Sequence, residues 1–240
     1  MKKKVVINIA FFSMLLFFLF LSFNQNNSSS NIYTEVRFTD EPPQFISRID
    51  VINKINFYNE NIKSSNNLKD INTRLLEDSI ESLNYVKNAE VYLSRDKLTI
   101  LIQEELPFIK TRVNNETYYL SNEGKKLNLV EGQTHEVLYF ICNKRIINWN
   151  KVIQLADVIY SNDFLSSFVS KVIVRKNADF ILYSDFFETN INIGDLHNLN
   201  QKIELIKLFF SEIEKNKGLM KNKLIKELNV KYDNQIICVK

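Results

Sequence analysis

From residue 32 to 38 the chain alternates. Ile32, Thr34, Val36 and Phe38 share one parity, the mark of a half-buried strand. Pro42 and Pro43 break the run, since proline neither continues a ladder nor sits deep in a helix. Helical spacing follows. Ser47 stands where a cap would, Asp50 three positions on favours the positive end of the helix, and Val51, Ile52 and Ile55 repeat on one face. "NFYNENIKSSNN" reads as loop. "NTRLLEDSIESLNYV" predicts a second amphipathic helix with Leu75, Leu76, Ile80 and Leu83 on one side. "VKNAEVYLS" and "KLTILIQEE" alternate again and are joined by Arg95-Asp96, which predicts a hairpin. Strand, helix, helix, strand, strand is the order of a small unit with two helices on one face of a three-stranded sheet.

The second half is richer in strand pattern. "ETYYLSNEGKK" predicts a strand closed by a tight turn, with Gly124 supplying positive φ. "EVLYFICN" (136–143) predicts a buried strand. "NWNKVIQLADVIYSN" predicts a helix burying Val152, Ile153, Leu155, Ala156 and Ile159. "VSKVIVRKN", "ADFILYSDF" and "TNINIGD" predict an antiparallel meander. Then Ile203, Ile206, Phe209, Phe210 and Ile213 mark a helix that Gly218 can stop. "LNVKYDNQIICVK" predicts a closing strand pair, Leu228 to Tyr232 and Ile236 to Val239, around a turn at Asp233-Asn234. Its last strand has an outer edge with no later strand to pair with.

One run fits neither period. Residues 5–23, "VVINIAFFSMLLFFLFLSF", follow Lys2-Lys3-Lys4 and carry no charge. As a helix at about 1.5 Å per residue the run spans roughly 28 Å, close to the hydrocarbon thickness of a bilayer. It lacks a small-x-small exit, so it predicts a transmembrane signal anchor, with a cleaved signal peptide as the alternative. The lysines place residues 1–4 in the cytoplasm and the bulk of the chain across the membrane. Polar "NQNNSSSN" (24–31) reads as a linker.

Composition narrows the chemistry. Four glycines among 240 residues argue against phosphate-cradling loops, and a net charge of +3 in mixed-sign stretches argues against nucleic acid. The two histidines, His135 and His197, are not at ligand spacing, so no metal or cofactor is expected. A pair of His with Cys142 is outweighed by a loop histidine and a strand cysteine. Glu104 and Glu105 are adjacent on a strand and point to opposite faces, which is not a paired-carboxylate site. No catalytic constellation is found and an enzyme is not expected. Cys142 and Cys238 read as two small buried side chains, or as one disulfide in an oxidising compartment.

The order of parts resembles a POTRA (polypeptide-transport-associated) module behind a single span. More specifically, the chain resembles the FtsQ/DivIB family of bacterial cell-division proteins. The positions carrying this in the first module are Leu83, Val86, Ala89, Val91, Leu98, Ile100, Glu104, Pro107 and Ile109, with Tyr85 where a proline is common. In the second module Asn122, Gly124 and Leu127 match the opening turn, and Gly194, Lys202 and Ile206 match a later pattern. Asn229, Lys231, Tyr232 and Asp233 match the closing "D-l-R-Y-D", with Asn229 and Lys231 as departures. The resemblance implies an α+β chain with an N-terminal transmembrane helix, a POTRA-like βααββ domain over 32–110 and an antiparallel β-rich domain with helices over 111–240. It also implies a non-catalytic, single-pass scaffold of the divisome at the septum, with FtsB-like and FtsL-like coiled-coil partners. Strand addition at the C-terminal edge would use Tyr232, Asn234, Ile236, Ile237, Cys238, Val239 and Lys240. A POTRA-bearing export or outer-membrane assembly factor, and a membrane-anchored enzyme, are the alternatives.

Overall fold

A computed structural model describes residues 14, 33–62, 71–94, 97–142, 148–175, 179–185, 188–215, 225–232 and 234–239. The expected tail, anchor and linker over 1–31 lie outside these residues, Met14 apart. So do the Arg95-Asp96 turn, Gly218, Asp233 and Lys240. Among the described residues, no helix is long and apolar enough to cross a membrane. The architecture is α+β, and the chain divides into two units between Glu104 and Glu105.

The first unit runs β1 (Tyr33–Phe38), α1 (Arg48–Ile62), α2 (Thr73–Glu81), β2 (Val86–Ser94) and β3 (Lys97–Glu104). Its sheet has the order β1-β3-β2, with β1 parallel and β2 antiparallel to β3. The start of α1 is a capping box. Asp50 N–H donates to Ser47 Oγ at 3.2 Å and Ser47 N–H donates to Asp50 Oδ2 at 3.1 Å. The expected loop after Ile55 is instead helix to Ile62. Val51, Ile55 and Tyr58 are buried at helical spacing, so packing overrides the weak helix propensity of the asparagines. Ile52 and Leu75, expected inside, are exposed, while Leu76 and Ile80 carry the core face of α2.

Glu104 also has a role that its place in the sequence hides. Its carboxylate accepts backbone N–H bonds from Gln44, Phe45 and Ile46 at 2.8, 2.8 and 3.0 Å. These are charge-assisted bonds to backbone donors just before a helix.

The second unit holds β4 (Ile109–Val113), β5 (Glu116–Leu120), β6 (Lys126–Leu127), β7 (Leu138–Cys142), α3 (Trp149–Tyr160), α4 (Asp163–Phe168), β8 (Lys171–Val174), β9 (Phe180–Ser184), β10 (Thr189–Gly194), α5 (Leu199–Lys215), β11 (Glu227–Asn229) and β12 (Ile237–Val239). They form one sheet in the order β12-β11-β10-β9-β8-β7-β4-β5-β6. The meander β8-β9-β10 is antiparallel as expected. The sheet as a whole is mixed, which corrects the expectation of an antiparallel domain: β4–β7, β7–β8 and β10–β11 are parallel. The cause is the connections. Parallel neighbours need a crossover, and α3–α4 carry the chain from β7 to β8 while α5 carries it from β10 to β11.

Registration across the sheet is continuous. Thr111, Phe140, Val172, Leu182, Ile191, Leu228 and Cys238 are successive partners in one row. The apolar members of that face form one core with α3, α4 and α5, in which Phe168 meets Phe210 at 4.7 Å between ring centroids. Each fully buried Leu, Ile or Phe contributes roughly 1.5–3 kcal/mol.

The asparagines do specific work in a chain poor in glycine. Asn72, Asn148 and Asn162 cap α2, α3 and α4 through side-chain bonds of 3.2, 3.3 and 3.2 Å. Asn114, Asn198 and Asn234 hold left-handed backbone at φ 54, 51 and 56°.

Candidate functional site: the C-terminal edge

β12 is the outermost strand of the nine-stranded sheet, and no described strand lies beyond it. Its register is Glu227 with Val239, Leu228 with Cys238 and Asn229 with Ile237. The direction of its backbone groups follows from β11. Lys226 C=O accepts from Asn190 N–H at 3.1 Å, and Val230 N–H donates to Asn192 C=O at 2.9 Å. Backbone groups alternate along a strand, so Leu228 also faces β10 while Glu227 and Asn229 face β12. Their partners Val239 and Ile237 therefore point inward, as the bond from Lys226 N–H to Val239 C=O at 3.0 Å requires. The N–H and C=O of Cys238 are left pointing outward.

The side chains on this edge are apolar and open to solvent. Tyr232 is 53% exposed, Ile237 44% and Val239 47%, while Leu228 beneath them is fully buried. Cys238 is exposed although it ends the buried row described above. Ile236 packs against the core and is only partly buried. Among the expected contact residues, the structure thus brings Tyr232, Asn234, Ile236, Ile237, Cys238 and Val239 to one edge.

Two polar contacts and one close approach hold that edge in place. Gln201 of α5 donates to Asn234 Oδ1 at 2.8 Å, tying the terminal turn to the helix. Lys231 Nζ bonds Asp179 Oδ2 at 2.8 Å; this raises the Lys231 pKa, chiefly through that hydrogen bond and then through the carboxylate charge. The Lys231 stem crosses Gly194, which has φ +64°. A Cβ there would stand 2.7 Å from Lys231 Cγ.

Lys202, buried in α5, donates to Ile193 C=O and Asp195 C=O, both at 2.9 Å, and reaches Asp195 Oδ1 at 3.3 Å. The Asp195 carboxyl sits below its ordinary pKa of 3.8, first because His197 N–H bonds it and then because of Lys202. The stability it contributes is complete at neutral pH and is lost only as pH falls through that lowered value. The spacing of Gly194, Lys202 and Lys231 in the sequence thus corresponds to one bracket that joins β10, α5 and the terminal hairpin. Sequence reasoning flagged these positions without their contacts. Beyond the family-like pattern, the local signal was a lysine on the apolar stripe of a helix.

The cysteines are both free, Cys142 buried and Cys238 exposed. They lie five strands apart in the sheet order. At about 4.8 Å per strand that is roughly 24 Å, far beyond disulfide reach, so a bridge within the chain is excluded. Cys142 Sγ rests 3.8 Å from Thr111 Oγ1, and burial pushes its thiol pKa up to about 11. The histidines are apart in role as well. The His135 N–H donates to Tyr119 Oη at 3.2 Å and the His197 N–H to Asp195 Oδ1 at 3.1 Å. No group of three or more His, Cys, Asp or Glu able to hold a metal occurs among the described residues.

Residues 107–239 match the family model described as FtsQ/DivIB, C-terminal related. That span contains every strand of the nine-stranded sheet. No curated protein matches the chain.

Proposed function

The chain belongs to the FtsQ/DivIB, C-terminal related family, a family of non-enzymatic cell-division proteins, and from that premise we propose that it is a bitopic divisome scaffold that binds its partners by strand addition at β12. The observation that carries this reading is the exposed β12 edge, with the Cys238 N–H and C=O directed away from the sheet. Strand addition takes its affinity from such main-chain groups and its register from alternate side chains. Ile237 and Val239 offer one face and Cys238 the other, and Tyr232 flanks the strand.

The partners are FtsB-like and FtsL-like coiled-coil proteins of the divisome. Residues 5–23 form the membrane anchor, residues 1–4 stay in the cytoplasm and the bulk lies outside it, at the septum. Residues 32–110 act as a POTRA-like module built on the first unit, a reading supported by that unit's βααββ order and its β1-β3-β2 sheet. The second, over 111–240, carries the docking edge.

Depletion with fluorescence imaging tests the cellular role. Depleted cells are expected to form undivided filaments, and a tagged copy to sit at midcell. Normal division together with dispersed label overturns the reading. For the edge, a Tyr232→Ala, Ile237→Glu variant is expected to keep its fold and lose pull-down of the FtsB-like partner, and unchanged pull-down rejects strand addition at β12.

A further inference from the structure

The first unit has an edge that is longer and closed. β2 is an outer strand of nine residues, with Tyr92 and Leu93 exposed along it. Such a strand is a strong template for a second chain. Yet Val91 N–H donates to Glu77 Oε1 at 2.8 Å and Ala89 N–H donates to Glu81 Oε1 at 3.0 Å. Neither N–H is spent on β3, so both belong to the outward set, two residues apart.

The fit is a matter of pitch. Glu77 and Glu81 are four residues apart on α2, about 6 Å along the helix axis. Successive outward N–H groups on a strand are about 6.7 Å apart. A helix beside the strand can therefore set one carboxylate on each donor, and its sense here is opposite, Glu77 to Val91 and Glu81 to Ala89. Each acid stands where the carbonyl of an added strand would stand. Like charges at this helical spacing repel, so both gain from a donor of their own.

We propose that Glu77 and Glu81 are specificity-determining residues that close β2 to strand addition, and that the chain excluded in this way is a second copy of the protein pairing β2 to β2. The assignment is independent of what binds β12.

The test uses the full chain in detergent micelles. By residue-resolved amide exchange, Val91 and Ala89 are expected to be protected in the wild type. Glu77→Ala is expected to speed Val91 exchange at least about tenfold while sparing Ala89, and Glu81→Ala to do the reverse. Glu77→Gln, which keeps an acceptor oxygen, is expected to restore protection. With Glu90→Cys as a reporter in a Cys238→Ser background, the Glu77→Ala, Glu81→Ala protein is expected to form an oxidative cross-link between copies that the parent lacks. Fast exchange of both amides in the wild type overturns the proposal. So does a double variant that releases its amides but cross-links no more than the parent. If the double variant fails to fold, the single-variant exchange rates decide the matter.

Discussion

The nine-stranded sheet has two outer strands, β6 and β12, and they are finished in different ways. β6 is two residues long; Leu127 is buried and Lys126 pairs with Glu116 while lying 4.4 Å over the Tyr118 ring. Brevity and a charged side chain are ordinary protections of an edge. β12 has three exposed apolar residues in a row and no charged cover among its described residues. The long edge β2 of the first unit uses a third device, the glutamates of α2 on its outward N–H groups. Of these three edges, two are blunted and one is left bare. The bare one is reached through a hairpin that is itself anchored, by Lys231 on Asp179 and Asn234 on Gln201. An open strand held in a fixed pose suits docking, because less ordering is needed on binding.

The largest expected effect separates the two ends of the buried row. Cys238 is expected to react with a thiol reagent at neutral pH about a thousandfold faster than Cys142, whose thiol stays protonated with a pKa of about 11 inside the core. Mass spectrometry of the labelled native protein checks this, and equal labelling would remove the contrast between inner and edge strands. Cys238→Pro deletes the outward N–H but none directed at β11, and edge strands tolerate it. It is expected to weaken binding of the proposed FtsB-like partner about a hundredfold, measured by titration, with the cooperative melt retained.

Lys202→Met strips the donor from two carbonyls and is expected to lower stability by about 2 kcal/mol in urea unfolding. Gly194→Ala places a methyl against Lys231 at positive φ and is expected to cost about 1–2 kcal/mol by the same measure, with partner binding weakened as the hairpin shifts. Lys126→Ala at the opposite edge is expected to change stability by less than about 1 kcal/mol and to leave partner binding untouched. A loss of binding there would mean that the two edges are not distinct in function.

Periodicity made much of this legible. The alternation of Val36 and Phe38, the stripe of Leu76 and Ile80, the meander from Lys171 to Gly194 and the face of α5 all stand where their spacing puts them. Other features were not legible, for identifiable reasons. Ile109–Val113 is a central strand, but at five residues after a proline it carries too short a pattern to separate from a linker. Residues 56–62 are helical because Tyr58 is buried, and their asparagines pointed to a loop. Glu77 and Glu81 lie between the apolar positions of α2, with nothing local to mark a role. Their role depends on a strand eight to fourteen residues away in sequence.

By itself, the sequence determined the α+β class, most of the elements and the apolar terminal strand, because the period of buried positions is a local property of each segment. It also carried the family resemblance in the order of parts and in the pattern around Gly194, Lys202 and Tyr232. Only the tertiary structure decided which strands are neighbours, that the large sheet is mixed, and that Cys142 and Cys238 stand too far apart to join. It alone decided which edge is closed and which is bare. Pairing between strands depends on contacts between residues far apart in the chain, and periodicity tells which way a side chain faces, not what it faces.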